Sequence, residues 1–230
     1  MRTLDAAGPL PIRADLAAAQ ARAWARLAGP GTWWDGAERI AIAAETRHAP
    51  SCELCRRRNE SISPGAIEGR HDSLGDLPRS VVEVVHRVCT DPGRLGETWF
   101  RDVIASGLST RWRAASVSTR RRCPRRGRAP PSRRRPAGAR PGGAWVAWLE
   151  PTDLGEAEAG LYPAPGVPVA NIRKAMSLVP DEAKSFFDLV SHQYQGPLEM
   201  RDFAREYRAI NHAQIELLAA RVSALNQCLY

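Results

Sequence analysis

Glu216-Leu-Leu-Ala-Ala-Arg-Val-Ser-Ala-Leu-Asn-Gln-Cys228-Leu-Tyr230 closes the chain. Its aliphatic residues recur at helical spacing, and Glu216 stands ahead of Cys228 across an eleven-residue spacer. An earlier stretch echoes it. Glu38-Arg-Ile-Ala-Ile-Ala-Ala-Glu-Thr-Arg-His-Ala-Pro-Ser-Cys52-Glu-Leu-Cys55 also runs from a glutamate through an alanine-rich helix to a cysteine, with thirteen residues in the spacer. The echo divides the chain into two pseudo-repeated halves.

Working outward, helix follows helix. Asp15–Leu27 has helical periodicity, with Asp15 as a candidate N-cap. Ala37–His48 forms a second helix, and a third starts at Ser51, with Cys52 and Cys55 in its first turn. Residues 61–78 carry Pro64, Gly65, Gly69, Gly75 and Pro78 and read as a loop. Arg79–Cys89 places Val81, Val84, Val85 and Val88 on one stripe, and Pro92–Ser106 follows. Val169–Val179, Pro180–Tyr194, Leu198–Ile210 and a last helix from Asn211 complete the series, with Pro180 suited to a first helical turn. No stretch alternates as a strand would. The fold class expected is all-α, with an N-terminal half over 1–110, a basic linker over 111–144 and a C-terminal half over 145–230.

The net charge of +8 is local. Residues 111–140 hold twelve arginines and no acid, so the rest of the chain, +8 less those twelve, nets −4. An acidic body with one basic insert argues against a nucleic-acid-binding fold. The insert mixes Arg, Pro, Ser and Gly without periodicity and is expected to be disordered. Three readings stay open for it: a flexible linker, a segment translated in a shifted frame, or a nucleic-acid-binding arm. Loss of a helix there would leave Val103/Ile104 and Ile172/Met176 short of packing partners.

No apolar run approaches a membrane span, and the N-terminus has no signal-like apolar region, so a cytoplasmic protein is expected. Five cysteines without such a signal do not suggest a disulfide framework. Cys52-x-x-Cys55 is then a redox dithiol, half of a metal site, or an inert remnant. Zinc would need two further ligands, for which His86 and Cys89 are available. A His-x-x-Cys in an apolar helix otherwise reads as core packing. His192 and His212 read as surface residues, and the seven tryptophans as core and helix-contact residues.

The cysteine-bearing stretches resemble the alkylhydroperoxidase D-like / carboxymuconolactone decarboxylase-like superfamily. The pattern matched is Glu-x11-Cys-x-x-Cys-x3-His, over roughly residues 15–110 and 145–230. The resemblance implies an all-α, oligomeric fold and a dithiol that reduces hydroperoxides without a bound metal or other cofactor. It implies a peroxidatic second cysteine, a resolving first cysteine, and a glutamate and histidine that relay protons. The N-terminal copy offers Cys52, Cys55 and Glu38, with Glu45 as a second carboxylate candidate. Asn59 stands at the histidine position, so an imidazole would have to come from His48 or His71. The C-terminal copy offers Glu216 and Cys228 and stops before a second cysteine. It is expected to lack a dithiol cycle. The partners expected are a hydroperoxide, a cytosolic dithiol electron donor and further copies of this chain. The alternatives are a non-redox decarboxylase of the same fold and a non-catalytic helical interaction protein.

Overall fold

The computed structural model describes residues 12–106, 108, 136–141, 145–163, 167–196 and 198–225. In chain order the helices are α1 (Ala14–Leu27), α2 (Gly36–His48), α3 (Glu53–Glu60), α4 (Arg79–Thr90), α5 (Glu97–Ala105), α6 (Asn171–Ala175), α7 (Pro180–Gln193) and α8 (His212–Leu225). Two short strands, β1 (Arg140–Pro141) and β2 (Ala147–Trp148), pair antiparallel with Arg140 opposite Trp148. The architecture is mostly helical, as the periodicity predicts. The strand pair was not foreseen; at two residues a strand is too short to leave an alternating pattern.

Several boundaries move for local reasons. Arg13, not Asp15, precedes the first helix, and Asp15 sits inside its first turn, ion-paired with Arg13. The chain from Ala49 to Ser51 is a 3-10 turn, so Cys52 becomes the N-cap of α3 and only Cys55 lies in its first turn. Pro92–Arg94 is another 3-10 turn that delays α5 to Glu97. The stretch expected as a helix over Leu198–Ile210 yields only a 3-10 turn at Glu199–Arg201. On α4 the buried valines are Val81 and Val82, while Val88 is half exposed, so the inward face is rotated from the stripe read in sequence. The rotation follows from His86, which is fully buried and takes the inward place beside them.

The chain sorts into two compact units, and each draws on both halves of the sequence. One unit takes residues from Met1–Trp33 and Pro131–Asp202. Here α1 packs along α7, and Arg22 and Arg26 both pair with Asp188. Its core joins Leu149, Leu161, Tyr162 and Ala183, with Met176 and Phe187 packed against them. Met176 is therefore covered, contrary to the expectation, whereas Ile172 is 67% exposed. The Leu149 N–H donates to Ser177 Oγ, and the Tyr162 hydroxyl donates to the Leu149 carbonyl, so this core leaves neither backbone group unpaired. Residues 136–141, expected as part of a disordered linker, are ordered: Pro136 is buried and Arg140 pairs with Asp153. Residues 111–135 lie outside the described residues.

The second unit takes residues from Trp34–Pro130 and Phe203–Tyr230. Here α2 opens with a capping box, in which the Glu38 N–H donates to Asp35 Oδ1 and the Asp35 N–H to Glu38 Oε2. The helix packs on α4 through Leu77, Val81 and Val82, with Ala41 and Ile42 against them. The 3-10 turn at Ala49–Ser51 then turns the chain into α3, whose first turn lies against the buried side of α4. Among the described residues no helix is long and apolar enough to cross a membrane.

Candidate functional site: a buried dithiol between two histidines

Cys52 and Cys55 reach the interior because they flank the start of α3. Cys52 has extended backbone (ψ 128°) and its carbonyl accepts the Arg56 N–H, so both sulfurs sit at the positive end of the helix. They are 0% and 2% exposed. The N-terminal amide of α3 is capped from a distance. The Glu53 N–H donates to Asp72 Oδ2 at 2.9 Å, since Cys52 supplies no side-chain cap.

Asp72 belongs to the loop between α3 and α4, and that loop also delivers His71. His71 Nδ1 lies 3.5 Å from Cys52 Sγ and 3.3 Å from Cys55 Sγ. On the other side, His86 of α4 places Nδ1 3.4 Å from Cys55 Sγ. The two imidazoles are neighbours, with ring centres 4.4 Å apart. Each is backed by a carboxylate: His71 Nε2 to Glu83 Oε2 at 2.8 Å, and His86 Nε2 to Glu45 Oε1 at 2.8 Å. Carboxylates at both Nε2 atoms fix the ring orientations, so the Nδ1 atoms face the sulfurs.

Glu45 is fully buried, and it is held by three donors. Besides His86 it accepts from the Ser73 hydroxyl at 3.2 Å and the Leu74 N–H at 3.1 Å. Glu83 is half open and shares its charge with Arg58 at 3.7 Å. The loop spanning His71 to Leu74 thus caps α3, touches both sulfurs and fixes Glu45. Gly75, at φ +89°, lets the chain turn immediately afterwards.

The site separates charge. Burial opposes ionisation of Cys52. The Cys55 N–H, the His71 ring, the Asp72 N–H and the Cys55 thiol together outweigh it and bring the Cys52 thiol below its ordinary value. Burial likewise opposes the His71 cation. Hydrogen bonds to Cys55, Glu83 and Cys52 outweigh that and push His71 up to about 10. The bond from His71 also holds Glu83 below the usual carboxylate range. His86 goes the other way: burial, with the charge on His71, keeps it neutral despite Glu45. One imidazole is therefore a charged partner for thiolate and the other is held neutral.

A cavity of about 240 Å³ opens beside this cluster, lined by Arg70, His71, Leu77, Arg79, Val82 and Glu83 among others. Neither cysteine lines it. His71 both lines the cavity and hydrogen-bonds the sulfurs.

Of the residues singled out in sequence, Cys52, Cys55 and Glu45 come together here. Glu38 lies in the capping box at the far end of α2. Glu216 lies on α8, a helix with no buried residue, and Cys228 falls outside the described residues. Cys89 is exposed and does not join the cluster. His71 does supply an imidazole where Asn59 could not. His86 is more than core packing, and Glu83 was missed. Glu83-Val-Val-His86 carries a usable signal, because residues three apart share a helix face.

Protein-family models, curated proteins and solved structures contain no match to this chain.

Proposed function

We propose that the protein is a thiol-dependent peroxidase that reduces a hydroperoxide at Cys52 and Cys55, in an alkylhydroperoxidase D-like helical fold. The observation that carries this reading is the shared His71: one Nδ1 lies within 3.5 Å of both sulfurs at the start of a helix. The thiolate is the reactive form of cysteine, and a helix N-terminus with a cationic imidazole favours it.

The family resemblance gives the first attack to the second cysteine, and Cys55 is the sulfur that touches both imidazoles. Its proton passes to His86, whose other nitrogen is anchored on Glu45. The Cys55 thiolate attacks the outer peroxide oxygen and the O–O bond breaks. The departing alkoxide takes a proton from His71 and leaves as the alcohol. Cys55 is now a sulfenic acid. The Cys52 thiolate attacks that sulfur and expels hydroxide, which takes the proton back from His86 and leaves as water, and a Cys52–Cys55 disulfide remains. An external dithiol, in this reading a cytosolic one, reduces the disulfide and completes the cycle. The hydroperoxide approaches through the cavity at His71 and Glu83, so displacement of the His71 ring opens the path to sulfur.

The test is mass spectrometry of the reduced chain after one equivalent of an organic hydroperoxide. A Cys52–Cys55 disulfide is expected, together with a sulfenic acid trapped by a 1,3-diketone at Cys55 in Cys52→Ser. Cys89→Ser is expected to react like the unaltered chain. If both thiols survive peroxide in folded protein, the reading is wrong.

A further inference from the structure

We infer that the reduced protein binds one Zn²⁺ ion through Cys52 Sγ, Cys55 Sγ, His71 Nδ1 and His86 Nδ1, and that oxidation of the dithiol releases it. The four ligand atoms lie within 4.8 Å of one another. A tetrahedral zinc with sulfur at about 2.3 Å and nitrogen at about 2.0–2.1 Å sets each sulfur–nitrogen edge near about 3.5 Å. Three of the four sulfur–nitrogen separations are 3.5, 3.3 and 3.4 Å, and the fourth lies within 4.8 Å. Two thiolates and two imidazoles are a donor set that zinc takes in closed, four-coordinate sites.

The surroundings are those of a ligand shell as well. A metal-binding histidine typically gives its other ring N–H to a carboxylate, which orients the ring and raises its basicity. Both histidines do so here, through Glu83 and Glu45, each at 2.8 Å. Glu45 is itself fixed by Ser73 and Leu74. With both Nε2 atoms held by carboxylates, the two sulfurs and the two Nδ1 atoms are the groups left to face a metal, and binding displaces the proton from His71.

The metal ion and the disulfide compete for the same electrons. In the bound state both sulfurs are thiolates and both Nδ1 atoms are unprotonated. A hydroperoxide takes two electrons from the two thiolates and two protons from solvent. The products are the disulfide, one alcohol and one water, and the freed Zn²⁺ departs. Zinc binding stands on the ligand geometry alone; only its release rests on the peroxidase reading. Bound zinc would also hold the thiolates away from peroxide, so metal occupancy would set how much of the protein is ready to react.

The experiment loads the reduced, full-length chain with Zn²⁺, removes loose metal with a chelator of micromolar affinity, and measures retained zinc. X-ray absorption at the zinc edge then reads the ligands in the unaltered protein. One zinc per chain with two sulfur and two nitrogen neighbours is expected. His71→Ala and His86→Ala are expected to weaken binding at least tenfold, and Glu83→Gln by about 10–100-fold. Cys89→Ser is expected to leave it unchanged. No retained zinc in folded protein, or a metal shell lacking either the two sulfurs or the two nitrogens, overturns the site. Hydroperoxide is then added. Zinc release in step with disulfide formation supports the coupling. Retained zinc with intact thiols leaves the site standing and defeats the release, and the same peroxide step on metal-free chain leaving both thiols intact defeats the peroxidase reading. A disulfide without prior zinc binding does the reverse.

Discussion

Glu38 and Glu45 lie two turns apart on α2 and do unrelated work. Glu38 closes a capping box at the surface end, and Glu45 takes three hydrogen bonds in the interior. Glu45→Leu leaves the ring N–H of His86, the Ser73 hydroxyl and the Leu74 N–H without their acceptor. At about 1–3 kcal/mol for each unpaired buried group, the loss is expected to reach about 3 kcal/mol or more in urea unfolding. Glu38→Ala is expected to cost about 1 kcal/mol and leave thiol chemistry untouched. Equal effects from the two changes would contradict the placement of Glu45.

Cys52 and His71 set a second prediction, for metal-free reduced protein. The His71 pKa is raised from 6.5 to about 10, so its contribution is full below pH 6.5 and is lost as pH rises through about 10. The Cys52 pKa is lowered from 9.0, so its contribution is full above pH 9 and is lost as pH falls through its folded value. Above both 6.5 and the folded value of Cys52, and below 9, the two slopes oppose one another, because folding moves one proton from sulfur to imidazole. Urea midpoints are expected to be level across that window and to fall on its alkaline side, as His71 loses its proton. His71→Gln is expected to remove the fall on the alkaline side.

At the scale of elements, α3 depends on a loop distant in sequence for its cap. Asp72→Ala removes the acceptor for the Glu53 N–H and is expected to cost about 1 kcal/mol. It is also expected to slow alkylation of Cys52 near neutral pH, since the loop supplies two of the influences that favour that thiolate. An unchanged alkylation rate would show that the loop does not tune the sulfur. Gly75→Ala forces a side chain into a φ of +89° and is expected to destabilise by about 1–2 kcal/mol, although open space surrounds it.

The helices were legible because their apolar residues recur at helical spacing, and the dithiol was legible because its cysteines are close in sequence. His71 stood out only as an alternative to His48, and Asp72, Ser73 and Leu74 not at all. They act through long-range closure of a loop, and two of the groups are backbone amides that no residue type announces. The false helix over Leu198–Ile210 has a related origin. Its apolar residues Leu198, Met200 and Phe203 find no face to bury and are 85%, 50% and 79% exposed. Periodicity yields a helix in a protein chiefly when packing rewards it.

Across the whole molecule, apolar surface is unevenly covered. On α8, Leu217, Leu218 and Val222 are 71%, 56% and 55% exposed. Leu217→Glu is therefore expected to change the stability of a single chain by about 0.5 kcal/mol or less. If copies of the chain associate through this helix, sedimentation velocity will show the same substitution lowering the mass; an unchanged mass places any self-association elsewhere. Each of the two units draws on both halves of the sequence, so removal of either half cuts both units. Each half expressed alone is expected to show less helix by circular dichroism than its share of the intact chain.

The site, by contrast, is closed within one stretch from Glu45 to His86, with its caps, carboxylates, imidazoles and sulfurs all inside it. In the language of genes, its chemistry is written as an uninterrupted cassette ahead of the arginine-rich codons. A lesion downstream can remodel the rest of the product while every letter of the dithiol centre is inherited intact.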